Sequence, residues 1–384
     1  VNILTRDRAN VSAPLNLTNA LPGLQALCSE TLGDPRICIA VLDGPVDQSH
    51  PCFEGANLMQ LQILVSGFAK SGSAAQHGTH IASIIFGRPG SSVPGIAPRC
   101  RGLIVPVFAD GQGGSLEPCS QLDLARAITL AVEQGANVIN ISGGQLTQSG
   151  EPDPFLTNAV QLCRDNNVLI VAATGNNGCA CLHLPAAIAS VLAVGAMDAQ
   201  SQPMGFSNWG EAYQTNGILA PGETILGAVP GGGTRTMSGT SFATPIVSGI
   251  VALLLSLQLK QGSKPNPEAV CKSILQSALP CPQPSSECQR FLVGKLNVPR
   301  AHTLITTGEI QQITNYTPEE FMIQPQEANN EIEQSQPSKV IEFELKQPIL
   351  QSSLIGVQAA EVNQSTSITT MPMEENPMMI TASN

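Results

Sequence analysis

The sequence predicts an α/β protein built on a mostly parallel sheet lying between helices. Three observations carry this. Short apolar runs alternate with stretches of helical period, the runs are apolar throughout instead of at every second residue, and polar residues gather where the runs end. Strand, helix and strand in succession imply parallel strands joined by right-handed crossovers. Strands covered on both faces lose the alternation of a half-exposed sheet.

The elements follow in chain order. ICIAVLD (37–43) reads as a buried strand ending in Asp43. HGTHIASIIFG (77–87) reads as a helix opened by His77 and closed by Gly87. LIVPVF (103–108) is a strand, and 121–134 has the apolar spacing of a helix, with Leu122, Leu124, Ala125, Ile128, Ala131 and Val132 on one side. NVINIS (137–142), VLIVAATG (168–175) and VLAVGAM (191–197) are strands, the first two separated by a helix at about 155–166. ILAPG (218–222) is a short strand stopped by Pro and Gly. In TMSGTSFATPIVSG (236–249) a glycine-rich loop turns into an apolar helix that starts at Ser241 and runs to about Lys260. Open parallel sheets bind ligands beyond the carboxyl ends of their strands. Asp43 stands at one such end and Asn176 follows another.

The 384-residue chain is long enough for a large core. Its net charge of −11 is unevenly spread: eleven Glu and two Lys after residue 307 hold −9 of it. At that point the texture turns to Gln, Glu, Asn, Ser and Pro with few aromatics. The expected domains are therefore a folded 1–307 and an acidic 308–384 that reads as a disordered tail or linker, a tether to a further domain or a dimer-forming arm. No basic patch exists to neutralise phosphates, so no nucleic-acid partner is expected. The most apolar run, Ile246–Leu259, has 14 residues, short for a bilayer and suited to a buried helix, so no membrane partner is expected. No basic and apolar leader opens the sequence, which favours the cytoplasm.

Eleven cysteines lie between Cys28 and Cys288. CACL (Cys179, Cys181) is too tightly spaced for a usual zinc pair, and no metal or other cofactor is expected. Cys281 and Cys288 are near enough in sequence to pair, whereas a reducing cytoplasm would oppose it.

Alone, Ser241 fits a small residue that lets a helix start close to a sheet. Asp43, His77 and Asn176 change that reading. Serine is a weak nucleophile and needs a base, imidazole suits that role near neutral pH, and the imidazole needs a carboxylate to hold its tautomer. The oxyanion that forms needs donors already aimed at it, which the Asn176 amide and the Ser241 N–H could supply. Asp47 is read as a turn cap and His80 as a packed helix residue. Thr240 either supports the oxyanion site or packs.

VLDGPVDQSHP, QHGTHIAS, ATGNNG and SGTSFATP, in the order Asp, His, Asn, Ser, resemble the subtilisin-like serine proteases over roughly residues 30–300. Chymotrypsin-type and α/β-hydrolase triads have other orders. The resemblance implies a three-layer fold with a seven-stranded parallel sheet, peptide-bond hydrolysis, and an extended substrate strand flanked by Ser142, Gly143, Gly144 and by 109–114. It places His183 near the floor of the pocket for the residue before the cut. LDGPVD, HPCF, HGTHIASIIFG, VPGIAP, NNGCACLHLPAA and FSNWG further resemble the leader peptidases of cyanobactin maturation. That implies a bacterial, cytoplasmic enzyme cutting ribosomal precursor peptides beside a recognition sequence. The sister macrocyclase domains, which transfer the acyl group to a peptide amine, carry a helical cap between their Asp and His. Here only 33 residues separate Asp43 from His77. A transamidating macrocyclase and an inactive peptide-binding module are the alternatives. Where many secreted relatives hold calcium through an acid, this chain has Cys52, so no calcium site is expected there.

Overall fold

The computed structural model describes residues 14–61, 71–111, 116–117, 119–308 and 379–382. Its strands are β1 (Cys38–Asp43), β2 (Leu58–Gln60), β3 (Arg101–Pro106), β4 (Ala109–Asp110), β5 (Leu116–Glu117), β6 (Cys119–Ser120), β7 (Val138–Ile141) and β8 (Gly143–Thr147). They continue as β9 (Leu169–Ala173), β10 (Leu182–Leu184), β11 (Leu192–Met197), β12 (Gly217–Pro221), β13 (Ile225–Val229), β14 (Gly233–Met237), β15 (Gly294–Lys295) and β16 (Met379–Ala382). The helices are α1 (Leu17–Ala20), α2 (Leu24–Glu30), α3 (Ser73–Phe86), α4 (Gln121–Glu133), α5 (Pro154–Asp165), α6 (Tyr213–Asn216), α7 (Thr240–Lys260), α8 (Pro267–Ser277) and α9 (Val298–Thr307).

Eight strands form the central sheet in the order β15-β12-β11-β9-β7-β1-β3-β2. Every neighbouring pair is parallel. This is the predicted subtilisin-like architecture with one strand more than the seven expected. The six apolar runs became β1, β3, β7, β9, β11 and β12. The edges β2 and β15 are three and two residues long and carry no apolar run, so periodicity does not reveal them. The order reverses about β1, which makes its carboxyl end a natural crevice.

α7 is the buried spine. It packs on β7, β9, β11 and β12 and beside α3, while α4 and α5 pack together against the sheet. Its 21 residues are long and apolar enough to cross a membrane, but 94% of its most apolar 18-residue window is buried inside the protein, which marks a core helix. α3 starts at Ser73, so His77 lies in its second turn and does not open it. The first turn is capped from elsewhere: Asp110 Oδ1 accepts from the Ala74 N–H at 2.9 Å. A cap 36 residues away leaves no local signature.

Smaller sheets decorate the rim. β10, β8, β16 and β6 form one, β13 and β14 a hairpin, and β4 pairs with β5. Disulfides join Cys179 to Cys181 and Cys281 to Cys288, and the other seven cysteines are free. Of the sequence after Gly308, only β16 lies within the described residues.

Candidate active site

Asp43 closes β1 with no solvent exposure. Its Oδ1 accepts from the Gly44 N–H at 2.7 Å and from His77 Nδ1 at 2.7 Å. Since a carboxylate only accepts, Nδ1 carries a proton and donates, which in the neutral ring leaves Nε2 as the acceptor. Nε2 is buried and makes no hydrogen bond among the described residues. An imidazole so held is oriented by an acid behind it and presents a base in front.

Two glycines make this approach possible. A Cβ on Gly44 would lie 1.9 Å from the Ala74 carbonyl oxygen, and one on Gly78 would lie 2.3 Å from the Gly44 carbonyl oxygen. Only bare backbone lets α3 descend onto the end of β1. The glycines of LDG and HGTH are thus spacers that set the Asp–His distance.

Ser241 is the second residue of α7 and is fully buried. The ring of the next residue, Phe242, lies 5.4 Å from the His77 ring and 4.7 Å from the His80 ring. His77 and Phe242 line a common cleft of about 320 Å³ with Gln76, Arg235, Met237 and Ser238. A larger apolar cavity, about 580 Å³, lies apart from this chemistry against Leu15, Leu24, Val93 and Ile96.

Asn176 follows β9 after Gly175, whose φ of +96° favours glycine. Its Oδ1 accepts from Thr240 N at 3.0 Å and Thr240 Oγ1 at 2.9 Å. Both bonds fall on the oxygen, so the amide orientation is fixed and Nδ2 points the other way. Among the described residues Nδ2 is buried without a partner. An unspent amide donor one residue from Ser241 is what an oxyanion requires. Thr240 holds the Asn176 amide by these two bonds, and its Oγ1 also accepts from Gly175 N at 3.2 Å.

Ser142 is buried and tied to α7: Asn140 Nδ2 donates to its Oγ at 3.0 Å, and Ser248 Oγ donates to Asn140 Oδ1 at 2.9 Å. Gly143 and Gly144 begin β8. His183 pairs across from Leu146 on β10. Its Nε2 meets Asn177 Oδ1 at 2.8 Å, an oxygen that also accepts from Asn208 Nδ2 at 3.1 Å. Nε2 therefore donates, and Nδ1 is left as a buried acceptor without a partner. A Cβ built on Gly175 would lie 2.6 Å from this Nδ1, and one on Gly144 3.1 Å. Burial pushes the His183 imidazole down to about 4, so it is neutral at pH 7. Asn177, Asn208 and the Tyr213 hydroxyl, which accepts from His183 N at 2.7 Å, escaped the sequence reading. NNGCACLHLPAA and FSNWG entered the sequence reading only as motifs of a resemblance, with no role for Asn177 or Asn208.

The remaining expectations sort readily. Asp47 caps its turn, accepting from Ser49 N at 3.1 Å and from Gly231 N at 2.9 Å. His80 is a packing residue: Nε2 lies 3.1 Å from the Arg235 carbonyl, and Gly227 leaves room for its ring. Of the expected flank 109–114, Ala109–Asp110 pairs with β5, and 112–114 lie outside the described residues.

An acid at the turning point of a parallel sheet, an imidazole on the next helix and a hydroxyl at the start of the central helix define the subtilisin-like class. The Subtilase family profile matches residues 34–309, and the chain belongs to that family. It is 34% identical over 220 residues to the thermophilic serine proteinase of Bacillus sp. (strain AK1), covering 57% of this chain and 52% of that protein. The chain thus spans about half the length of that curated relative. Among solved structures, the prenylagaramide maturation protease PagA superposes with a TM-score of 0.70 at 61% identity, over 75% of this chain and 100% of PagA. The PatG macrocyclase in complex with peptide superposes with a TM-score of 0.71 at 37% identity, over 77% of this chain and 99% of PatG.

Proposed function

We propose that the chain is a serine endopeptidase that removes leaders from ribosomal precursor peptides of the cyanobactin type, in the bacterial cytoplasm. The observation that carries the chemistry is the buried 2.7 Å Asp43–His77 pair with its Nε2 unspent. The likeness to a maturation protease at 61% identity supports the substrate class. Ser241 Oγ attacks the carbonyl carbon as His77 Nε2 takes its proton. Asp43 stabilises the imidazolium. Asn176 Nδ2 donates to the oxyanion. His77 then returns the proton to the leaving amine, and a water repeats the sequence on the acyl-enzyme. Gly143 and Gly144 offer main-chain groups to an extended peptide. The His183 Nδ1 acceptor favours a small hydrogen-bond donor on the residue before the cut.

Ser241→Ala is expected to leave the thermal midpoint unchanged and abolish cleavage of precursor peptides, read by mass spectrometry; wild-type rates in this variant would refute the assignment. The macrocyclase reading is favoured only by the likeness to PatG, at 37% identity. Linear acids as products mean hydrolysis, and dehydrated rings mean transfer. Labelling by a serine-directed phosphonate excludes an inactive binding module.

A further inference from the structure

β6 and β8 are not neighbours in their sheet. Between them runs β16, antiparallel to both. Met379 and Ile380 pair with Ser120 and Cys119, and Thr381 and Ala382 pair with Gly144 and Gly143. A distal piece of the chain therefore fills a slot one strand wide. One wall of that slot is the Gly143–Gly144 backbone that the proposed function assigns to substrate.

The polarity of β16 matters. From Thr381 to Ala382 its partners step from Gly144 to Gly143, toward Ser142. Ser142 is anchored through Asn140 to Ser248 on α7, the helix that carries Ser241. The carboxyl end of β16 thus heads for the nucleophile's helix. An acyl donor must enter in that direction, because its own carbonyl is the one attacked. A strand that merely closed a sheet edge could run either way.

We propose that Met379–Ala382 is a built-in competitor that occupies the substrate slot in the substrate's own polarity, so that a precursor peptide must displace it to bind. This rests on the reading of the β8 edge as the substrate groove. The competitor is joined to the site by its own chain, so its effective concentration does not depend on protein concentration. Apparent affinity for substrate is then lowered by the fraction of molecules with the slot open.

The test compares full-length chains with and without Ile380→Pro and Ala382→Pro together, which remove ladder donors from β16. Both are first made in the Ser241→Ala background, so no turnover is needed. Amide exchange over Gly143–Thr147 is expected to quicken about tenfold or more in the proline variant. A synthetic peptide copying 377–382 should restore protection. Equal exchange in both chains would overturn the proposal, as would protection that rises with protein concentration, which would mean docking between copies. With Ser241 restored, the proline variant should show a KM for precursor peptide lowered roughly tenfold at unchanged kcat. Should the Ser241 chains cleave nothing while the exchange difference stands, the peptidase assignment fails and the docking holds.

Discussion

Asn176 works through the two ends of one amide. Its oxygen is spent on Thr240, which leaves its nitrogen for the oxyanion of the proposed reaction. Asn176→Ala should lower kcat by ~10²–10³, the loss known for this donor in subtilisin, with KM little changed. Thr240→Val keeps the shape but removes one of the two aiming bonds, worth about 1 kcal/mol or roughly fivefold in kcat. Steady-state kinetics on one peptide checks both. The buried imidazoles make a separate prediction. Burial holds His183 down to about 4 and His80 to about 3. The unfolded chain binds protons near 6.5 that the folded chain refuses. Their contribution to stability is complete above that value and lost as pH falls toward 4. Each should cost roughly 2 kcal/mol by pH 5. Urea midpoints at pH 7 and 5 would show it, with a shallower fall in His183→Gln.

At the level of elements, the Asp–His contact is a property of how α3 meets β1. Gly78→Ala puts a methyl 2.3 Å from the Gly44 carbonyl oxygen, backbone that cannot swing aside. The helix must lift, at a cost of about 1–3 kcal/mol. Activity should fall further than stability, because the 2.7 Å Asp43–His77 bond is the first thing stretched. Calorimetry and kcat on the same sample separate the two effects. This also shows what the sequence could and could not disclose. β1, β9 and α7 were legible because continuous burial writes a continuous apolar run. Asp43, His77, Asn176 and Ser241 could be proposed from the sequence because the chemistry asked of them is carried by residue type, although His77 lies in the second turn of α3 and not at its start. The start of α3 was not legible, since Asp110 caps it from β4. The aiming of Asn176 by Thr240 and of His183 by Asn177 and Asn208 was not, since hydrogen-bond direction has no letter in the sequence. The short edges β2 and β15 owe their place to neighbours, not to their own composition.

Across the whole molecule, the two disulfides close loops of only two and seven residues in sequence separation. On the loop-entropy view the shorter is worth about 1 kcal/mol and the longer about 2 kcal/mol. A reductant is expected to lower the thermal midpoint by several degrees while labelling of Ser241 by a phosphonate persists, since neither bridge holds a member of the triad. Differential scanning calorimetry with and without reductant tests this. The four residues that the proposed function uses arrive from far apart in the chain: Asp43 from the end of β1, His77 from α3, Asn176 from the turn after β9 and Ser241 from the start of α7. A nascent chain on the ribosome therefore carries no working blade until most of the sheet has been threaded and closed. On the proposed function, a partial product of translation would lack the assembled site, and so would a molecule that has begun to come apart.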